Sequence, residues 1–526
     1  MNKKVILVVM DGIGYSKLEY GNAVLKANTI NLDYLMSNYP NTLINAHGEY
    51  VGLPSNEDMG NSEVGHNALG SGQIYSQGAK LVNEAINSKE MFNSKTWQEL
   101  VEYSKNHTMH FIGLLSDGNV HSNINHLFCL LEQAKKDKIK RVRIHILLDG
   151  RDVYEKSALK YIEMLENKLN ELNDDTFNAL IASGGGRMKI TMDRYEADYK
   201  MVELGWHTHV LGDAKKFKNV QDAILYSYEL GLNDQYIEPF VIADNDEPIG
   251  TINDLDSVIF FNFRGDRAIE LSKCFDDDNF NKFDLVRKPK VLYAGMLQYD
   301  SDLNIPKKFL TEPPTIKNTL TEELLKHNIR QYAISETQKY GHVTYFWNGN
   351  RQEKFNEELE EYVLVESDNI PFDLQPKMKS NEITDELIKA IESNKYDFLR
   401  INFPNGDMIG HTGNFSKTVE GVEAVDYNLG RIMECVSKND AILIVLADHG
   451  NAEEMYQIGN DKKIPKTSHT LNKVPFIIYA NRDIINKIKI KNGDFGLANI
   501  ASVVTTLFGI PKNDAWLESI IEFREV

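Results

Sequence analysis

Several carboxylates and imidazoles in this chain stand at spacings that suit metal chemistry. Asp407 and His411 are four apart, so their side chains converge if the segment is helical. The run NFPNG before Asp407, with Gly410, equally allows a loop leading into a helix. Asp448 and His449 are adjacent and follow AILIVLA, the most apolar run in the chain. His469 lies in Ser-His-Thr ahead of another apolar run, VPFIIYA, and Asp11 closes the first one, VILVVM. Taken singly, each is also an ordinary helix cap or a satisfied polar residue. Together, at the ends of apolar runs, they point to a divalent-cation centre. Mixed carboxylate and imidazole donors favour Mn²⁺, Co²⁺ or Zn²⁺, with Mg²⁺ less favoured where histidine is present.

A second set of residues suits covalent and anion chemistry. Ser62 lies among small residues in NSEVGHNALGSG. A serine hydroxyl needs a base or a metal to become a nucleophile, and nearby divalent ions supply the second option. Ser62 also fits the cap of a helix starting at Glu63, and the two roles are compatible, because a helix N-terminus favours an anion. Arg151 and Asp152 follow IHILLDG, Arg187 follows SGGG, and Arg194 lies in Met-Asp-Arg-Tyr. Arg264 and Arg267 bracket Gly265 and Asp266, and His121 closes Ser-Asp-Gly-Asn-Val-His. Most arginines are solvated surface charges. These stand instead at the ends of apolar runs, where their forked guanidinium groups can bind carboxylate or phosphate.

The elements that must hold these residues recur along the chain. Short runs rich in Val, Ile, Leu and Phe (VILVVM, FIGLL, IHILL, ALIA, VIFFNF, FLRINF, AILIVLA) each end in small and charged residues. They read as buried parallel strands. Between them lie amphipathic stretches; Val419, Val422, Val425, Leu429, Ile432 and Val436 give one apolar helical face. The alternation predicts an α/β fold, with ligands outside the carboxyl ends of the strands. The Asp/His clusters lie near the N-terminus and in the last third, and the Arg-rich clusters between about Leu115 and Arg267. This split predicts a discontinuous metal-binding domain over 1–78 and 312–526, interrupted by an inserted anion-binding domain over 79–311. The junctions fall near Gln77 to Leu81 and near Asn304 to Thr315, where Pro306, Pro313 and Pro314 punctuate the chain.

Bulk properties narrow the classes. A chain of 526 residues favours two or three domains over one core. Lys and Arg total 58 against 77 Asp and Glu, a net charge of −19, which repels nucleic acid and anionic membrane surfaces. An anionic substrate would therefore need cations gathered locally, as the arginine clusters provide. Three scattered cysteines, Cys129, Cys274 and Cys435, give no disulfide framework and fit a reducing compartment. The run Val5 to Met10 is too short for a signal-peptide core or a membrane span, so a soluble cytoplasmic protein is expected.

The runs MDGIG, NSEVGHNALGSG, LLSDGNVHSN, LLDGRDV, SGGGRMKITMDRY, NFRGDRA, TQKYGHVTYFWNGN, NFPNGDMIGHTG, ADHGNAE and SHT, in this order from Asp11 to His469, resemble cofactor-independent phosphoglycerate mutase, of the alkaline-phosphatase-like superfamily. The stretch from Arg187 to Arg194 is one residue longer than in some members and resembles a second branch, and metal preference differs between branches. The resemblance implies a monomer with a phosphatase-like domain and an inserted transferase domain. It implies one ion on Asp407, His411 and His469, and another on Asp11, Ser62, Asp448 and His449. Ser62 would be the phosphorylated nucleophile, Lys339 would steady the transferring group, and Asp152 would be the acid/base. His121, Arg151, Asp152, Arg187, Arg194, Arg264, Arg267 and Lys339 would bind the substrate. The implied reaction interconverts 3-phosphoglycerate and 2-phosphoglycerate with two divalent ions, Mn²⁺ first among them, and without bisphosphoglycerate. A metal-dependent phosphatase or a sugar-phosphate mutase on the same scaffold is the alternative.

Overall fold

A computed structural model describes residues 4–53, 55–75, 78–193, 198–300, 303–313, 316–351, 353–456, 463 and 465–524. The chain forms two compact units, one of Met1–Ser76 with Pro314–Val526 and the other of Gln77–Pro313. Each is built on its own mostly parallel sheet, as the strand and helix patterning predicts.

In the first unit seven strands run in the order Glu360–Val365, Gln331–Glu336, Phe398–Phe403, Val5–Met10, Ile442–Leu446, Val474–Tyr479, Asn41–Ile44. The first five are parallel and the last two pair antiparallel. Val5–Met10 is central and buried along its whole length. Side chains alternate across a strand, so its residues feed two cores. Val5, Leu7 and Val9 pack on one face with Ile444 and Leu446, while Ile6, Val8 and Met10 pack on the other with Leu443 and Val445. A strand covered on both faces has no polar side, hence the unbroken apolar run in its sequence. The helix Phe415–Lys438 closes one face with Val422, Val425, Leu429, Ile432 and Val436. Asn414 starts it, its side chain accepting from the Lys417 N–H.

In the second unit the order is Leu292–Gly295, Ser257–Phe260, Thr108–Leu114, Arg141–Leu148, Asn178–Gly186, Phe240–Asp244, Lys215–Phe217, with Glu247–Pro248 pairing onto Phe240–Asp244. The first five are again parallel. The run VIFFNF is only partly strand, because pairing ends at Phe260. Beyond it the Asn262 side chain accepts the Leu114 N–H at 2.9 Å, so a side-chain carbonyl replaces the ladder and the backbone turns toward Arg264. Among the described residues no helix is long and apolar enough to cross a membrane, and the three cysteines are free.

Ile444 sits fully buried in the first sheet. Ile444→Ala is expected to lower stability by roughly 2–5 kcal/mol through lost burial and a residual cavity, read as a shift of the urea midpoint.

Candidate functional site

Sheet topology brings the first unit's chemistry to one edge. Asp11 follows Val5–Met10, Asp448 and His449 follow Ile442–Leu446, and Asp407 lies in the short helix Asn405–Gly410 just after Phe398–Phe403. These three strands are neighbours and parallel, so their carboxyl ends converge. Lys339 lies in Thr337–Gly341, which follows the next strand, Gln331–Glu336. His469 precedes Val474–Tyr479, whose antiparallel direction places its start at this same edge. Gly12 has φ +73°, and a Cβ there would lie 2.5 Å from the Asp407 nitrogen, so only glycine lets the two backbones cross so closely.

Ser62 opens the helix Ser62–Ser71. The cap role that its residue type allows falls instead to Asn61, whose side chain accepts the Val64 N–H at 3.0 Å. The Ser62 hydroxyl therefore faces the cluster. Its Oγ is 2.9 Å from His449 Nε2, 3.3 Å from Asp11 Oδ1, and accepts from Lys339 Nζ at 2.5 Å. Lys339 Nζ also donates to Asp407 Oδ2 at 2.9 Å. Asp407 and His411 do converge across one turn: His411 Nε2 is 3.0 Å from Asp407 Oδ1.

The donor set fits a cation. His411 Nδ1 lies 2.6 Å from the Thr467 carbonyl and His469 Nδ1 lies 2.8 Å from the Gly60 carbonyl, contacts that require N–H at both Nδ1 atoms. With both rings neutral the Nε2 atoms carry lone pairs that lie 3.1 Å apart, and His469 Nε2 is 3.1 Å from Asp407 Oδ1. Acceptors facing acceptors at such distances repel unless a proton or a metal cation lies among them. Ligand atoms of Asp407, His449 and His469 lie within 4.8 Å of one another, as do those of Asp11, Asp448 and His449. His449 thus belongs to both groups.

Electrostatics within the cluster are strong. Burial would raise the Asp407 carboxyl, but His411, Lys339, His449 and His469 outweigh it and hold it well below the usual carboxylate range. Asp448 is likewise held low against burial by His449, His66 and Lys339. Burial opposes the charged form of His449, yet Asp448, Asp407 and Asp11 together push it up to about 10.

Other residues complete the cluster without having been singled out from the sequence. Asn402 Nδ2 donates to Asp11 Oδ2 at 2.7 Å, and Asn451 Nδ2 to Asp407 Oδ1 at 3.2 Å. His66 Nδ1 lies 2.8 Å from the Ser62 carbonyl and 3.3 Å from Asp448 Oδ2. Buried Glu453 accepts the N–H groups of Gly14 and Asn451 at 3.0 and 2.9 Å and binds Thr470 and Asn472, tying three strand ends together. Two of these left a signal: His66 is one helical turn after Ser62, and Asn402 interrupts an apolar strand.

The second unit gathers its charges in the same way. His121 follows Thr108–Leu114, Arg151 and Asp152 follow Arg141–Leu148, Arg187 follows Asn178–Gly186, and Arg264 and Arg267 follow Ser257–Phe260. All four strands are adjacent and parallel. Buried Arg187 donates through Nη1 to Asp149 Oδ1 at 2.8 Å and Asp152 Oδ2 at 2.5 Å, while its buried Nε has no partner among the described residues. Asp149, not anticipated from sequence, also accepts the N–H groups of Arg151 and Asp152 at 3.2 and 3.0 Å and the Ser116 hydroxyl at 2.5 Å. Arg264 Nε is 3.1 Å from Asp266 Oδ1, which lies 3.7 Å from His121 Nδ1. Arg267 donates to the Met192 carbonyl at 2.8 Å. Arg151 is exposed. Arg194 lies outside the described residues.

Residues 3–512 match the family model described as the metalloenzyme superfamily. A probable 2,3-bisphosphoglycerate-independent phosphoglycerate mutase of Leptospira interrogans is 50% identical, with 99% of this chain and 98% of that one aligned. The 2,3-bisphosphoglycerate-independent phosphoglycerate mutase of Trypanosoma brucei brucei is 46% identical over 99% of this chain and 97% of its own. Among solved structures, a phosphoglycerate mutase of Leishmania mexicana, determined at low cobalt concentration, superposes with a TM-score of 0.62 at 44% identity, covering 99% of this chain and 98% of that one.

Divalent-cation loading has a proton signature here. With His449 held at about 10, the ion-free cluster carries a proton at neutral pH that an entering ion must displace. Mn²⁺ titrated calorimetrically into chelator-treated protein should release protons, so the apparent heat should vary with buffer ionisation enthalpy, and affinity should fall as pH is lowered. A buffer-independent heat would contradict this.

Proposed function

The chain belongs to the 2,3-bisphosphoglycerate-independent phosphoglycerate mutases, and from that premise we propose how its residues divide the work. The enzyme is an isomerase that interconverts 3-phosphoglycerate and 2-phosphoglycerate and depends on divalent metal. The roles of individual residues, and of the two units, are our reading.

Ser62 is the nucleophile that carries the phosphoryl group between the two hydroxyls. The observation that supports this most is the setting of its Oγ: buried, 2.9 Å from His449 Nε2 and 2.5 Å from Lys339 Nζ, at the first turn of a helix. That helix N-terminus favours the negative charge of a phosphoserine. Asp407, His411 and His469 would hold one divalent ion, and Asp11, Ser62, Asp448 and His449 the other. When bound, such ions lower the pKa of the serine hydroxyl and offset charge on the phosphoryl oxygens. Lys339 contributes the same stabilisation from a fixed, buried position. Residues 1–78 and 312–526 thus act as a phosphatase-like metal domain, and 79–311 as the transferase domain.

In the transferase domain His121, Arg151, Arg187, Arg194, Arg264 and Arg267, with Lys339 of the metal domain, bind the substrate anion. Asp152 is the acid/base. As the phosphoryl group passes to Ser62, Asp152 protonates the departing glycerate oxygen; in the return step it takes the proton from the neighbouring hydroxyl, which attacks phosphoserine. Atoms balance with Ser62 entering deprotonated and Asp152 entering as the protonated acid: one P–O bond to glycerate breaks as one to Ser62 forms, the reverse occurs at the adjacent carbon, and both groups return to their starting states. Arg187, bonded to Asp152, holds that carboxylate in place. A hydrolase on this scaffold would have no use for retaining the alcohol, which is why the strand-end arginines favour a mutase over a phosphatase. We further propose a cytoplasmic monomer acting on this small substrate, with Mn²⁺ ahead of Mg²⁺, Co²⁺ or Zn²⁺ and no added bisphosphoglycerate.

Ser62→Ala is expected to lower mutase turnover by about three orders of magnitude or more in a coupled assay, since covalent relay is lost rather than weakened. A residual rate within tenfold or so of wild type would refute the relay. Retention of glycerate has its own test. With isotopically labelled glycerate in the medium, the 2-phosphoglycerate formed should stay unlabelled, while Arg264→Ala should raise free phosphate relative to isomer. Label entering at a rate near turnover would show that glycerate leaves mid-cycle.

A further inference from the structure

Beneath the strand-end site of the second unit lies a continuous run of buried polar side chains that the mechanism does not use. Asp256 Oδ2 is 3.2 Å from His110 Nε2, and His110 Nδ1 is 2.9 Å from His145 Nε2. His145 Nδ1 is 2.7 Å from Ser183 Oγ, and Ser183 Oγ is 2.8 Å from His209 Nδ1. His209 Nε2 is 3.1 Å from Thr191 Oγ1. Asp256 lies at the edge with 4% exposure and the other members are 0–1% exposed. The chain crosses four neighbouring strands, those of Ser257–Phe260, Thr108–Leu114, Arg141–Leu148 and Asn178–Gly186. It passes the last gap because the pairing shifts there: Ile144 faces Ile181 but His145 faces Ser183. One extra residue, Ala182, makes the bulge that sets the hydroxyl opposite the imidazole.

With its three imidazoles neutral, as burial favours, every proton in this chain follows from its anchor. Asp256 also accepts the Thr108 and Asn253 N–H groups at 2.9 and 2.8 Å, and those bonds with His110 outweigh the effect of burial and hold its carboxyl below the usual range. As an ionised acceptor it requires His110 to carry its proton on Nε2. His110 Nδ1 is then an acceptor, so His145 donates from Nε2 and accepts at Nδ1 from Ser183. Ser183 accepts from His209 Nδ1, and His209 Nε2 accepts from the Thr191 hydroxyl. All three imidazoles are neutral and no group is left over. Burial, the leading influence, lowers all three, with His209 pushed down to about 3.

The far end of the chain is strained. Thr191 is β-branched yet has φ +67°, a conformation that its side chain disfavours and that persists only where its surroundings impose it. Besides the His209 bond, its N–H donates to Met201 at 2.7 Å. The next residue, Met192, supplies the carbonyl that receives Arg267, and the segment begins at Arg187. We propose that the chain from Asp256 to Thr191 is a positioning device that fixes the Arg187–Asp193 segment, and through Met192 the Arg267 guanidinium, in the geometry that binds phosphoglycerate. It rests on the reading of this unit as the substrate-binding one.

The test uses the full-length, metal-loaded enzyme. Thr191→Val keeps the shape and removes the hydroxyl, leaving His209 Nε2 unpaired; Ser183→Ala interrupts the chain in its middle; Thr191→Ser keeps the hydroxyl. The first two should raise KM for 3-phosphoglycerate about tenfold, the scale of a lost buried hydrogen bond, with kcat and bound metal little changed. Thr191→Ser should restore KM to near the wild-type value. Imidazole ¹⁵N spectra of the wild type should show His110 and His145 protonated at Nε2 and His209 at Nδ1. Thr191→Val or Ser183→Ala proteins that fold and keep the wild-type KM would overturn the proposal, as would a different tautomer pattern. If Arg264→Ala and Arg267→Ala also leave KM unchanged, the substrate-binding reading fails instead, independently of the chain.

Discussion

Buried acceptors pointed at one another are the constraint on which the first unit depends. Asp407 Oδ1 lies about as close to two imidazole nitrogens as hydrogen-bonded atoms do, although the opposite nitrogens of both rings lie against backbone carbonyls. Three buried carboxylates, Asp11, Asp407 and Asp448, face the same space. Such an arrangement is unfavourable without positive charge, which Lys339 and a protonated His449 supply in the ion-free protein and divalent ions would supply on the proposed reading. The parallel strands bring these side chains to one edge, and Gly12 lets two of the strand-end loops pass within contact distance.

The second unit faces the inverse problem. Buried Arg187 is held by Asp149 and Asp152. Paired guanidinium groups stay ordered and still offer further N–H groups to a bound anion, which suits a small substrate bearing both carboxylate and phosphate. On a chain of net charge −19 an anion would depend on such a local supply rather than on the long-range field.

Both sites stand on loops at strand ends, and both are braced by buried acceptors that receive several N–H or O–H groups. Glu453 ties Gly14, Asn451 and Thr470 in one unit, and Asp256 anchors Thr108, Asn253 and His110 in the other. Loops lack a ladder of their own, so side-chain acceptors supply the fixed geometry that helices and sheets receive from backbone pairing.

The α/β class and most strand positions were legible in the sequence, because strands buried on both faces leave unbroken apolar runs such as Val5–Met10 and Ile442–Leu446, with the polar residues at their ends. The helix carrying Val422 through Val436 was legible by its spacing. Motif resemblance, not periodicity, supplied the family. What tertiary structure decided was which strand ends meet. His469 reaches Asp407 because its strand runs antiparallel, and Asn61 rather than Ser62 caps its helix, turning the hydroxyl inward. Asp149 emerged as the partner of Arg187 only when the Arg141–Leu148 and Asn178–Gly186 strands lay side by side. His110, His145 and His209 look like stray polar residues in apolar stretches until sheet order and one bulge align them. Local pattern records how much of a segment is buried; it does not record which distant segment lies beside it, and these contacts are made between neighbours in the sheet rather than along the chain.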